Sequence, residues 1–175
     1  MSVLPLIIEP DPRLKIASEP VTIFDDKLKT FISDMIQTMH HDVGVGLAAI
    51  QVGVPKQLFV LDLGDNDEMP RAEGFYPMCM INPKITWASV EYIIAKEGCL
   101  SVPSIIVEVP RPASVNIAYF DENGISKSLE TSGWLARVIQ HEMDHLNGTT
   151  LLNYLSTLKK DLALTKLKKL RKQIL

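Results

Sequence analysis

His141-Glu142-Met143-Asp144-His145 decides how the rest of this sequence is read. It sits in a stretch from about Trp134 to Asn147 whose spacing predicts a helix, with Gly148 where a left-handed cap would end it. Residues four apart share a helix face, so both imidazoles can reach a single ion. Glu142 lies one step round from His141 and can reach a water on that ion without being a ligand. A bound cation brings the pKa of its water down to about 7, and a carboxylate can then take the proton. The pattern points to a metal-dependent hydrolase with His141 and His145 as ligands and Glu142 as general base. The plain alternative is a helix with two ordinary histidines and a solvated glutamate.

A third ligand separates families of chemistry. An extended HExxHxxGxxH helix needs a histidine where Leu151 stands, although Gly148 fits that pattern. No glutamate follows Glu142, and no histidine follows His145. Asp161 remains, in a lysine-rich helix expected at the surface. The third ligand is therefore expected upstream, and Cys99 within Glu97-Gly98-Cys99-Leu100-Ser101-Val102-Pro103 is the best candidate. Gly98 allows close backbone approach there. A thiolate beside two imidazoles suits Zn or Fe(II), with one position open to water. The ordinary reading of an isolated cysteine is a buried structural residue, and Cys79 keeps it. His40 and His41 end an earlier helix, where the dipole favours cations, and are read as surface residues.

The surrounding chain reads as one α+β catalytic domain over residues 1–175. Its 175 residues, 46% hydrophobic and 22% charged with net charge −3, can bury a core of their own. No apolar run approaches the eighteen or so residues of a membrane span. The N-terminus lacks a secretory pattern, so a bacterial cytoplasm is expected and a Cys79–Cys99 disulfide is not. Neither a membrane nor a specific nucleic-acid sequence is expected as a partner. Asp25 can cap a helix carrying Leu28, Phe31, Ile32, Met35, Ile36 and Met39, ending near Gly44. Residues 57–63 read as a buried strand, 64–77 as a polar surface loop, and 81 to about 129 as antiparallel strands with a turn at Asp121-Glu122-Asn123-Gly124. A last helix begins near Ser156 or Thr157. It carries Leu158, Leu162, Leu167 and Leu170 among Lys159, Lys160, Lys166, Lys168, Lys169, Arg171 and Lys172, a basic tail on an acidic body.

One further segment is unusual: Gly44-Val45-Gly46-Leu47-Ala48-Ala49-Ile50-Gln51-Val52-Gly53. It lacks phosphate-loop spacing. Small residues around one glutamine suit close backbone approach with a presented amide, and a tightly packed helix start would explain them equally well.

Taken together, these segments resemble peptide deformylase, a family marked in order by GxGxAAxQ, EGCLS and QHExDH segments. Here they stand at 44–51, 97–101 and 140–145. The likeness extends from Asp11-Pro12-Arg13-Leu14 to the C-terminal helix. It implies an α+β fold with antiparallel sheets packed around the HExxH helix, between an N-terminal and a C-terminal helix. It implies Cys99, His141 and His145 as ligands of one divalent ion, natively Fe(II), with Zn, Ni or Co able to replace it. The implied reaction removes formate from N-formylmethionyl nascent polypeptides, with Glu142 as the acid/base. The Gln51 side chain and the Leu100 backbone N–H would stabilise the oxyanion, commonly worth a few kcal/mol. Substrate would lie as an added strand along Val45-Gly46 on one side and Glu97-Gly98 on the other.

Helix spacing then places Trp134 and Val138 in a methionine pocket with His141, though core packing would explain both. Arg137 is expected at the pocket rim with its charged head in water. Ile106 stands where some bacterial members have a basic residue that holds the peptide backbone, which bears on substrate affinity. The basic C-terminal helix resembles a segment by which some members dock on the ribosome; a solvated amphipathic helix is the alternative. Three rival functions stay in view: a general HExxH zinc peptidase, a thiol hydrolase using Cys99 and His141, and a non-catalytic ribosome-associated protein.

Overall fold

The computed structural model describes residues 2–64 and 67–174, so Asp65 and Asn66 of the 64–77 loop lie outside it, as do the Arg171 and Lys172 side chains of the basic tail. Its elements are α1 (Asp26–His41), β1 (Gly46–Ala48), β2 (Leu58–Leu61), β3 (Met78–Ala88), β4 (Tyr92–Glu97), β5 (Val107–Pro112), β6 (Ser114–Phe120), β7 (Ser126–Ser132), α2 (Gly133–Leu146) and α3 (Thr157–Ile174). The expected α+β class holds. All strand pairs are antiparallel, in a five-stranded sheet of order β1-β2-β3-β6-β7 and a separate ribbon of β4 and β5.

The larger sheet is covered on both faces, and β2 shows why. Its side chains alternate faces, as a strand requires. Leu58 and Val60 meet Ile32, Met35 and Met39 of α1. Phe59 and Leu61 meet Leu135, Ala136, Val138 and Ile139 of α2. A strand buried on both faces reads as a continuous apolar run, which is how Leu-Phe-Val-Leu appeared in the sequence. The strand is shorter than the expected 57–63: the Gln57 backbone N–H donates to the Glu19 carbonyl at 2.7 Å instead, while its side-chain amide reaches the Ser18 carbonyl.

Local chemistry fixes the ends. Asp25 accepts from the Leu28 N–H at 2.9 Å and starts α1, as expected. Asp121 accepts from Asn123 and Ile125 and closes the β6–β7 hairpin. Beyond α2, Gly148 adopts φ +70°, and a Cβ there would meet the Lys15 backbone. Only glycine ends this helix without strain. Along α3, Ala163 and Leu167 pack onto Val102 and Leu152, whereas Leu158 and Leu162 are exposed. No helix among the described residues is long and apolar enough to cross a membrane.

Candidate metal centre and active site

His141 and His145 emerge from one face of α2, their ring centroids 5.1 Å apart. Cys99 reaches them from the segment after β4, with Sγ 3.3 Å from His145 Nε2. One ligand atom from each of the three lies within 4.8 Å of the others. This is the one upstream residue that sequence reasoning had proposed beside the two histidines. Cys79 is buried elsewhere, and His40 and His41 are exposed at the end of α1.

Glu97 organises the site from below. Its Oε2 accepts from His141 Nδ1 at 2.9 Å and from Arg111 Nη2 at 2.9 Å. Its Oε1 accepts from Arg111 Nε at 2.6 Å and Arg137 Nη1 at 2.7 Å. Burial alone would push the Glu97 carboxyl up; hydrogen bonds from His141 and Arg111, with the Arg111 charge, hold it down at about 2. The bond to Nδ1 leaves His141 Nε2 free to face Cys99. Such an outer partner orients a metal-binding imidazole. Asp144 extends the network by pairing with Arg111 at 2.9 Å, and Tyr154 donates its hydroxyl proton to Asp144.

Burial and the bonds around the two histidines drive them apart. Burial opposes protonation of His141, but its hydrogen bonds to Cys99 and Glu97 raise its pKa well above the ordinary value. Burial and then the His141 charge push His145 well below it. Burial pushes the Glu142 carboxyl up to about 7, opposed by the charges of His141 and Arg111.

A carboxylate, a thiol and two imidazoles this close fit a single divalent ion. Among the described residues, Glu142 Oε2 and His145 Nδ1 are buried without a hydrogen-bond partner. An unsatisfied buried group of this kind costs about 1–3 kcal/mol. An ion held by Cys99, His141 and His145 would bring water within reach of Glu142, the partner that the protein itself does not supply.

The cluster lies at the base of a cavity of about 450 Å³. Val45 and Gly46 line one wall, Glu97, Gly98 and Leu100 another, and Trp134, Val138 and His141 a third. Gln51, Cys99, Glu142 and Arg137 also reach it. Of the residues expected at the site only His145, itself buried, is missing from the lining. Gln51 is held rigidly: Oε1 accepts from the Ala48 N–H at 2.8 Å, and Nε2 donates to Ser101 Oγ at 3.0 Å and lies 3.6 Å from Cys99 Sγ. Ile106 is exposed.

Arg137 corrects the sequence reading. Its head is buried, not in water, and besides Glu97 it donates to the Val109 and Ile93 carbonyls at 2.9 and 2.6 Å. Three acceptors underneath outweigh solvation at the rim. Arg111 was missed altogether. Its signal was its place in Val107-Glu108-Val109-Pro110-Arg111, where period two puts it on the buried face with two valines. Ser101, which fixes Gln51, had no signal beyond its neighbours.

Comparison with known proteins identifies the family. A family described as polypeptide deformylase matches residues 3–161. Peptide deformylase 1 of Rickettsia conorii is 49% identical over 174 residues, 99% of each chain. The peptide deformylase of Brucella suis is 47% identical, over 99% of this chain and 96% of its own. Among solved structures, the Ehrlichia chaffeensis peptide deformylase in complex with actinonin superposes with TM-score 0.90 at 46% identity, covering 97% of this chain and 98% of that one. The chain belongs to the polypeptide deformylase family and is an enzyme.

Proposed function

We propose that this enzyme hydrolyses the formyl amide of N-formylmethionyl nascent polypeptides in a bacterial cytoplasm, releasing formate and a free amine. The observation that carries the reading is the convergence of Cys99, His141 and His145 beside a buried, unpartnered Glu142 oxygen at the floor of a cavity. Cys99 Sγ and one nitrogen each of His141 and His145 would hold one divalent ion, Fe(II) natively, with Zn, Ni or Co as substitutes. When bound, the ion supplies Lewis acidity and makes water nucleophilic near neutral pH.

The protein's own groups do the rest. Glu142, with a carboxyl poised at about 7, takes the proton from the attacking water. It then gives that proton to the departing nitrogen as the C–N bond breaks. Gln51 Nε2 and the Leu100 N–H stabilise the oxyanion, and the two anchors on Gln51 keep its amide from turning away. Val45-Gly46 and Glu97-Gly98 hold the peptide backbone between them. Trp134, Val138 and the Arg137 stem form the wall for the methionine side chain. The exposed lysines and Leu158 and Leu162 of α3 form a docking face for the ribosome.

Formate release from a formyl-methionyl tripeptide by anaerobically purified protein tests this reading. The wild type should turn over, and Glu142→Ala should not. Absence of turnover with Fe(II), Ni and Zn each loaded would refute it and favour a peptidase. Activity that survives complete metal removal would favour Cys99 as a nucleophile.

A further inference from the structure

The ribbon of β4 and β5 has an open side. We propose that the outer edge of β4 is a docking strand for the nascent polypeptide beyond its first residues, which adds antiparallel from Gly98 back to Tyr92. The inference rests on the deformylase reading, which puts the formyl end of the peptide at Cys99.

Register and proline chemistry define the edge. Tyr92 lies opposite Pro112 and Ile94 opposite Pro110. Proline has no N–H, so neither pair can exchange ladder hydrogen bonds. The bonded pairs of an antiparallel ladder alternate, so they fall at Ile93–Arg111, Ala95–Val109 and Glu97–Val107. The N–H and C=O groups of Tyr92, Ile94 and Lys96 therefore point away from β5. No strand pairs there, and among the described residues no other backbone group bonds to them. Arg137 agrees with this parity. It bridges the Ile93 and Val109 carbonyls, which flank the Ile94–Pro110 pair, and leaves the outer groups free.

The same parity continues to Gly98, which lines the cavity. Pocket wall and open edge thus form one line of unpaired backbone groups. Tyr92 at 62%, Ile94 at 67% and Ile106 at 62% exposure put an apolar strip beside it. An open apolar edge invites a further strand. Direction selects the occupant. β4 runs toward the cavity, and a peptide whose first residue sits at Cys99 runs away from it, which is antiparallel pairing. Main-chain pairing reads no particular sequence, which suits an enzyme that meets many different chains. The edge from Gly98 to Tyr92 takes roughly six residues, about 20 Å.

The test uses the metal-loaded full chain and formyl-methionyl peptides of increasing length, from about three residues to about nine. kcat/KM should rise about tenfold as the peptide covers the edge and then level off. In the longest peptide, N-methylation of single amides should lower kcat/KM at alternate positions only, because every second N–H of an added strand faces β4. Equal kcat/KM at all lengths, or N-methyl effects without alternation, would overturn the proposal while turnover of the shortest peptide left the deformylase reading standing. Loss of all turnover, with tight binding of long peptides that still alternates under N-methylation, would sink the reading and keep the edge. A dimer in sedimentation that the longest peptide does not dissociate would give the edge to a second copy.

Discussion

Replacing Gly46 by alanine should damage catalysis far more than folding. Gly46 lies across from Glu142, and a Cβ there would fall 2.9 Å from Cδ and 3.1 Å from Cγ, and closer still to Oε1. Ordinary contact begins at 3.4 Å. The strand cannot yield, because Gly46 pairs with Leu61 and is followed by the fully buried Leu47 and Ala48. The carboxylate must retreat instead, by at least about 0.5 Å at Cδ, the difference between 3.4 and 2.9 Å. Turning a side chain off its rotamer costs about 0.5–1.5 kcal/mol, and overpacking of this kind about 1–3 kcal/mol in all. The catalytic penalty is larger, since misplacement of a reacting group by an ångström costs about 10²-fold.

The assay pairs kcat for formate release with the urea midpoint. Gly46→Ala should lose about 10²-fold in kcat and about 1–3 kcal/mol of stability. The double variant Gly46→Ala/Glu142→Ala removes the obstructing side chain, so the stability loss should be relieved relative to Glu142→Ala alone while activity stays absent. A Gly46→Ala enzyme within about threefold of wild-type kcat would refute the reasoning. So would a stability loss indifferent to the presence of the Glu142 side chain.

Two other outcomes follow from buried charge. Glu97→Ala strips Arg137 of its ionic partner and leaves Arg111 with Asp144 alone. Breaking such a buried pair costs about 3–5 kcal/mol, and loss of the His141 Nδ1 acceptor should weaken retention of the ion about 10–100-fold, read by competition with a chelator; a urea stability change under about 1 kcal/mol would contradict this. Because Glu97 is held at about 2, below the ordinary 4.5, its share of stability is present above the unfolded value and lost as pH falls from there toward 2. Cys79 is pushed up to about 12, first by burial and then by Glu122. It stays a thiol at pH 8, so iodoacetamide should spare it in the native protein and modify it only after unfolding. Modification of Cys79 in the folded state as fast as in urea would contradict that burial.

The parts of the site that sequence could announce are those in which local spacing carries the chemistry. Two histidines four apart on a helix must share a face, and glycines with one glutamine in a short run must bring backbone close. β2 was legible as buried because apolar residues on both faces leave no polar alternation, but its start was not, since the Gln57 N–H goes to the Glu19 carbonyl, far back in the chain. Cys99 could be reached only by elimination and by likeness to a known family. Nothing within its own segment says that His145 lies 3.3 Å away, 46 residues further along.

Arg137 and Gly46 show what local pattern leaves out. An arginine four residues before a ligand looks like a rim residue, because its long stem usually reaches water. Here the acceptors come from β4 and β5, which lie elsewhere in the chain, and the same guanidinium serves Glu97, Ile93 and Val109. The network joins pieces with separate tasks. Glu97 turns His141 toward Cys99, Arg137 fixes Glu97, and Arg137 also braces β4, whose far edge is left unpaired among the described residues. Gly46 carries the corresponding constraint on the opposite wall, where backbone must pass beside Glu142 with no room for a methyl group. An active site buried this deeply therefore depends on what its walls omit as much as on what they present. A glycine with an ordinary φ, usually dismissed as replaceable, becomes the position where one added carbon reaches the Glu142 carboxylate.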